Sequence, residues 1–340
     1  MLNIISLTAL RKKVTWPGKV AKNLMKWLDI LGYPYLLNGD FNSTRRLWIH
    51  DDFFALKKLS LLKEETKLIV GPNLYALPRN IPQSIFIEKY PHIMPAPCVV
   101  DFWKHFWYRG ILDSWPVWID TEQFLPSLEE RTKVVIYFKQ RSEEDLKQVQ
   151  KILDTQKIDY TCIRYGSYSE SSFQEALRSA KYVIWIGGSE SQGIAFAEIL
   201  SCNIPILIWD ISSLRQSIFP GASFIEDELD YLWVTSAPYF DDSCGIRIFH
   251  ASELPYSIGK MEVWYSQFSP REYVLRNLSL DGQAKKFLEL YEKHFQLSFQ
   301  DGFDEVLSIQ KSFRNNLLIE KLFDVYDSSF WVKARKILKK

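Results

Sequence analysis

The chain has 340 residues, of which 47% are hydrophobic and 24% charged, so it is long enough for two ordinary domains and too apolar to be disordered. A net charge of +1 and the lack of any dense basic run exclude nucleic acid as a bulk partner. Four scattered cysteines, Cys98, Cys162, Cys202 and Cys244, read as reduced thiols of a cytoplasmic protein, and no apolar run approaches the ~20 residues that span a bilayer.

In chain order, Leu2 to Leu7 predicts a first strand rather than a signal peptide, because Arg11, Lys12 and Lys13 follow the apolar run instead of preceding it. The spacing of Val20, Leu24, Trp27, Leu28 and Leu31 predicts a helix over 19–31, ended by Gly32. Short strands are expected at 35–37, 46–49, 67–70 and 84–87. His50 and Asp51 would then stand at a strand's C-terminal end, where open α/β sheets place ligands. A cleft-facing histidine and a loop histidine bonded to backbone are equally open for His50. Phe102, Trp103, Phe106, Trp107, Tyr108 and Trp115 crowd one helix and its exit, and most of them should be core.

A second α/β unit begins with the strand 133–138, followed by Lys139 and Arg141 and a helix over 143–155. The strand 160–164 leads into Tyr165-Gly-Ser-Tyr168, and 173–179 into the apolar run Tyr182 to Ile186. That run has the composition of a parallel strand buried on both faces. Gly187, Gly188 and Gly193 then permit a tight turn, Ser189 or Ser191 could cap a helix over 194–201, and Pro205 stops it before a strand over 204–209. Amides at that turn would face an anion. Glu190 lies in the turn and Glu198 about two turns along the helix, on the order of 10 Å away, roughly the distance from a diphosphate to a ribose. A strand and a Gly245 turn are expected within 234–247.

The run Glu190-Ser-Gln-Gly-Ile-Ala-Phe-Ala-Glu198-Ile-Leu-Ser-Cys-Asn-Ile-Pro205 resembles the signature of retaining GT-B glycosyltransferases (group 1, family 4-like): two glutamates separated by seven residues across a strand-to-helix turn. Val117-Trp-Ile-Asp-Thr-Glu-Gln-Phe-Leu-Pro126 is similar to the segment that closes the family's first domain, with Trp118 where the family has glycine. Residues 268–280 and 285–291 are similar to its late helix pair. The resemblance implies an α/β, GT-B fold: two Rossmann-like domains whose parallel sheets face a central cleft. It divides the chain into an acceptor-side domain (1–127), a nucleotide-sugar domain (128–280) and C-terminal helices that cross back (281–340).

What the resemblance implies chemically is transfer of a sugar, with retention and without metal or other cofactor, from a nucleotide-diphosphate sugar to a glycan or lipid-linked acceptor. Glu190, His50, Lys139 and Arg141 would form the catalytic set, with Lys139 or Arg141 on the diphosphate. Glu198, Ser191, Gln192, Gly193, Ile194, Tyr165, Gly166 and Gly18 would hold the donor. Two other classes compete. Ser189-Glu-Ser-Gln-Gly193 mimics the nucleophile elbow of an α/β-hydrolase, with Ser191 at its apex and His250 as base, but it lacks the first glycine and an oxyanion segment. A non-catalytic scaffold binding nucleotide or glycan is the other. Beyond Phe295 the resemblance stops. The basic amphipathic end, 330–340, suits either an interfacial helix on the anionic inner face of a membrane or a surface helix on the first domain.

Overall fold

The computed structural model describes residues 1–11, 16–116, 118–219 and 224–314. The basic tail at 330–340 therefore lies outside the described residues. Two compact units emerge. One is built from Met1–Met94, Trp107–Trp115 and the described residues from Gln283 onward; the other from Pro95–Phe106 and Pro116–Gly282. The stretch between 95 and 127 is thus shared between them.

The first unit holds a six-stranded parallel sheet: β1 (Leu2–Ile5), β2 (Tyr35–Leu37), β3 (Arg46–Ile49), β4 (Lys67–Val70), β5 (His92–Met94) and β6 (Leu112–Ser114), in the order β2-β1-β3-β4-β5-β6. Helix α1 (Trp16–Leu31) follows β1 and buries Val20, Leu24, Trp27 and Leu28, the stripe that its periodicity predicts. Alternation along β3 sorts its side chains by face. Leu47 and Ile49 join a cluster with Ile5, Leu68, Val70 and Ile87. On the other face Trp48 meets Trp115 edge-on, ring centres 5.6 Å apart, and Phe287 at 4.8 Å. Both indole N–H groups are satisfied, Trp48 donating to Gly71 O at 2.7 Å and Trp115 to Gln283 O at 3.0 Å, as buried indoles require.

The second unit has five parallel strands: β7 (Lys133–Lys139), β8 (Tyr160–Arg164), β9 (Ala180–Gly187), β10 (Ile206–Trp209) and β11 (Gly245–Ile248), in the order β8-β7-β9-β10-β11. The helices of this unit are α2 (Pro97–His105), α3 (Glu143–Thr155), α4 (Glu170–Arg178), α5 (Ile194–Ser201), α6 (Glu226–Leu229), α7 (Leu254–Trp264) and α8 (Pro270–Asn277). Val134, Ile136 and Phe138 pack with Leu146, Val149 and Leu153 of α3 and Ile258 and Met261 of α7. On the opposite face Tyr137 and Trp185 stack, 4.4 Å between ring centres, and Phe196 of α5 meets Trp185 edge-on at 5.1 Å. Burial of both faces explains why these strands read as unbroken apolar runs. Two further helices, α9 (Leu280–Phe295) and α10 (Asp301–Arg314), end the described chain. No helix among the described residues is long and apolar enough to cross a membrane.

Several expectations need correction. The segment 84–87 forms no strand: Pro78, Pro82 and Pro91 remove ladder donors around it, and the chain makes short helical turns before β5. The three-residue strands β5 and β6 carry no periodic signal, and neither is among the strands expected from the sequence. Residues 234–244 are not a strand either, because Thr235 and Ser236 spend their hydrogen bonds on the Asp210 carboxylate, and the ladder starts only at Gly245. Trp107 is not core: it is 74% exposed at φ +69°, whereas Phe102, Trp103, Tyr108 and Trp115 are buried.

Gly245 sits at φ +143°, and a Cβ there would stand 2.1 Å from Ile206 O. Gly245→Ala is therefore expected to lower stability by ~2–3 kcal/mol through strain and loss of β11 pairing, read by urea unfolding of the full chain. A loss under ~0.5 kcal/mol would mean that this backbone conformation is not held.

Candidate donor site and the switch point of the second sheet

In the second sheet the strand order reverses direction between β7 and β9, and open α/β sheets bind ligands outside the carboxyl ends of strands at such a point. Lys139 pairs in register with Gly187, so the end of β7 lies beside the start of the glycine turn. Gly188 N–H donates to Lys139 O at 2.8 Å, and a Cβ on Gly188 would meet Gln140 O at 2.6 Å, so only glycine lets the two backbones approach this closely.

The turn is fixed from both sides. Ser189 N–H donates to Ser217 Oγ at 2.8 Å and Glu190 N–H to Thr235 O at 2.9 Å. The Glu190 carboxylate is buried, and its Oε1 accepts from Ser191 N–H at 3.1 Å and Gln192 N–H at 3.4 Å. Its Oε2 is ion-paired with Lys139 Nζ. Burial, the largest single influence, pushes the Lys139 ammonium toward neutrality, but the charge and hydrogen bond of Glu190, with Tyr165 and Tyr168 beside it, together raise its pKa above the ordinary value. The same ammonium lies 4.6 Å from the ring centre of Tyr165, which is 48% exposed. Gly166, next to it, has φ +82° and open space where a Cβ would be.

Helix α5 starts from Gly193 at φ +66°, with no side-chain cap, so neither Ser189 nor Ser191 caps it. Left-handed backbone at that position needs glycine, and the serine-cap expectation missed this. Ile194 and Gln192 are buried beneath the turn, and Glu198 is buried on α5. Burial raises the Tyr168 pKa, and the nearby Glu198 charge adds to it. Tyr168 Oη also lies 3.0 Å from Tyr137 Oη.

Arg141 has a different environment from Lys139. Its guanidinium donates to Gly187 O at 3.3 Å, to Trp209 O at 3.2 Å and to Asp145 Oδ2 at 2.9 Å, with the Trp209 ring centre 5.0 Å away. It ties the ends of β9 and β10 to the first turn of α3.

Sequence reasoning overlooked a buried hub one strand further on. The Asp210 carboxylate accepts from Ile211 N–H, Ser236 N–H, Ser236 Oγ, Thr235 Oγ1 and Arg247 Nη1, all between 2.6 and 2.8 Å. Through Thr235 it fixes the segment that receives Glu190 N–H. The signal was available: Trp209-Asp210 ends an apolar strand with a carboxylate, which a fully buried position tolerates only when paired.

His50, Asp51 and Gly18 belong to the first unit, whose sheet reverses order between β1 and β3. Asp51 at the end of β3 accepts from Leu7 N–H at 2.8 Å and from Thr8 Oγ1, fixing the loop after β1. His50 is buried, with Nε2 2.9 Å from Pro17 O and 3.3 Å from Asn73 Nδ2. Burial lowers its pKa despite the opposing Asp51 charge and the bond to Pro17, so the ring is neutral near pH 7. Gly18 lies buried in the first turn of α1, one residue from the Pro17 carbonyl that His50 faces. Beside this strand end opens a groove of about 730 Å³, lined by Ser6, Asn38, Asp40, Asp52, Phe54 and Lys58 among others.

No protein-family model matches the chain, and no curated protein matches its sequence. Solved structures do match its fold. Sucrose-phosphate synthase from Thermosynechococcus elongatus aligns with a TM-score of 0.57 over 87% of this chain and 99% of that one, at 10% identity. AviGT4, a glycosyltransferase involved in avilamycin A biosynthesis, aligns with 0.52 over 86% and 97%, at 11% identity. TarM aligns with 0.51 over 79% of this chain and 57% of its own length, at 10% identity. The fold is α/β, with two parallel-stranded sheets, and matches GT-B glycosyltransferases.

Two predictions follow from the charged groups. Arg141→Met would leave Gly187 O, Trp209 O and Asp145 without their donor and is expected to cost ~2–4 kcal/mol in urea unfolding; a change below ~0.5 kcal/mol would show that the guanidinium is not structural. His50, neutral in the fold and protonated in the unfolded chain below about pH 6.5, makes stability fall with decreasing pH by about 1.4 kcal/mol per unit. His50→Asn should flatten that part of the acid limb in melts between pH 6.5 and 5, and an unchanged slope would contradict a neutral buried ring.

Proposed function

We propose that the chain is a glycosyltransferase that moves a sugar from a nucleotide-diphosphate sugar to a glycan or lipid-linked acceptor. The observation that carries this reading is the convergence of Lys139, Glu190 and the amides of Ser191 and Gln192 at the β7/β9 switch point, with Glu198 buried on the helix that leaves it. Matches to sucrose-phosphate synthase and to AviGT4, a glycosyltransferase by its own description, support sugar transfer as the chemistry.

On this reading Lys139 and the turn amides at Ser191 to Ile194 take the donor diphosphate, a cation and N–H groups stabilising the charge that builds on the leaving group. Arg141, whose guanidinium already serves two carbonyls and Asp145, positions the strand ends instead of touching phosphate. Glu190 orients the sugar hydroxyls. Glu198 takes the ribose, and Tyr165 with Gly166 receives the base. His50, through the Pro17 carbonyl, sets the segment carrying Gly18, and the groove beside Asp40 and Asp52 takes the acceptor. Retention of configuration rests on the resemblance of the Glu190 to Glu198 run. Metal independence rests on Lys139 and the amides as the charge-neutralising set. Cytoplasmic residence, with inner-face membrane contact through 330–340, belongs to the same proposal. Nothing in the comparisons supports the hydrolase with Ser191 as nucleophile.

The test is a thermal-shift panel of nucleoside diphosphates and their sugars with and without EDTA. One nucleotide series at 100 times its Kd should raise Tm by about 5 °C whether or not EDTA is present, and Glu198→Ala should lose the shift. The absence of any shift, or a Glu198→Ala protein that turns over donor as wild type does, would contradict the reading.

A further inference from the structure

Three donors converge on one carboxylate: Ser191 N–H and Gln192 N–H on Glu190 Oε1, at 3.1 and 3.4 Å, and Lys139 Nζ on Oε2. An ammonium and two successive turn amides aimed at one anionic group make an arrangement that suits a phosphate as well as a carboxylate. They are also the groups that the proposed function assigns to the donor diphosphate, and one set of donors cannot serve both anions at full strength.

We infer that Glu190 is a placeholder: its carboxylate fills the anion position between Lys139 and the amides of Ser191 and Gln192, and an incoming diphosphate displaces it. The inference rests on the donor reading above and deepens it. Part-buried among Glu190, Tyr165 and the end of β7, Lys139 needs a counter-anion, because a desolvated ammonium without one is costly. Glu190 supplies it until a diphosphate does.

The exchange needs no movement of the loop. Glu190 N–H is held by Thr235 O at 2.9 Å, and Thr235 in turn by Asp210 at 2.7 Å, so the backbone stays while the side chain changes rotamer. Gly193 adds no side chain next to it: a Cβ there would sit in contact with Glu190 Cγ at 3.5 Å and with Phe196 Cβ at 3.4 Å. Displacement then turns the carboxylate toward the sugar hydroxyls that it is proposed to orient. The carboxylate thereby reaches the sugar only when a diphosphate holds Lys139, which couples donor recognition to assembly of the reactive site.

Isothermal titration of the full chain with inorganic pyrophosphate, for wild type, Glu190→Gln and Lys139→Met, tests the inference by sign. Glutamine keeps the shape and frees the ammonium, so Glu190→Gln should bind pyrophosphate about tenfold more tightly than wild type, while Lys139→Met should lose at least about tenfold. Equal or weaker binding by Glu190→Gln, with wild type binding, would overturn the placeholder and leave the donor reading standing. No binding of pyrophosphate by either, together with no nucleoside diphosphate shift in wild type, would overturn both. Should Glu190→Gln fail to fold by circular dichroism, Glu190→Asp replaces it: a carboxylate one methylene shorter cannot reach Lys139 and the amides together, and tighter binding is again expected.

Discussion

The pairing register of β7 against β9 is the constraint on which the site depends. It sets Lys139 opposite Gly187 and so brings a cation to the foot of the turn that carries Glu190. Side chains alternate along a strand, so a slip of one residue would send the Lys139 side chain to the other face of the sheet and leave Glu190 buried without its cation. The register is enforced by what lies below it: Val134, Ile136 and Phe138 on one face and the Tyr137 and Trp185 stack on the other. Apolar burial along the strand thus fixes where the charges at its end can be.

Above the sheet a second layer of constraint comes from buried polar groups. Asp210 takes five donors, Arg141 ties three strand and helix ends together, and Gly188 allows the backbone contact that places the turn. A fully satisfied network of this kind is rigid, because any member that moved would leave a buried polar group unpaired. In the proposed exchange the Glu190 side chain is the part that moves, while its backbone N–H remains bonded to Thr235 O. In the first unit the corresponding strand ends carry a comparable arrangement, with Asp51 fixing the loop after β1 and His50 facing the Pro17 carbonyl.

Much of the second unit was legible from local pattern. Helices over 143–155 and 194–201 and the strand over 160–164 coincide with the structure, because amphipathic spacing and glycine or proline punctuation act within a few residues. The Glu190 to Glu198 run could be located for the same reason. What could not be read was long-range. Lys139 and Arg141 look alike as loop cations in sequence, and only the register and the Gly187 and Trp209 carbonyls separate an ion pair with Glu190 from a structural clamp. The bonds of Thr235 and Ser236 to Asp210 cancel a strand that local composition favours. Three-residue strands such as β5 and β6 are held by their neighbours and carry no period of their own. At Gly193 a serine cap was the natural local reading, and the left-handed backbone that replaces it is set by the turn as a whole.

The central claim, that the donor diphosphate binds at the β7/β9 switch point, is tested most directly by a crystal structure with the nucleoside diphosphate that stabilises the chain most. The account predicts phosphate oxygens within about 3 Å of Lys139 Nζ and of the Ser191 and Gln192 amides, with the Glu190 carboxylate turned away. Diphosphate ordered elsewhere, with the Lys139 and Glu190 pair intact, would contradict it.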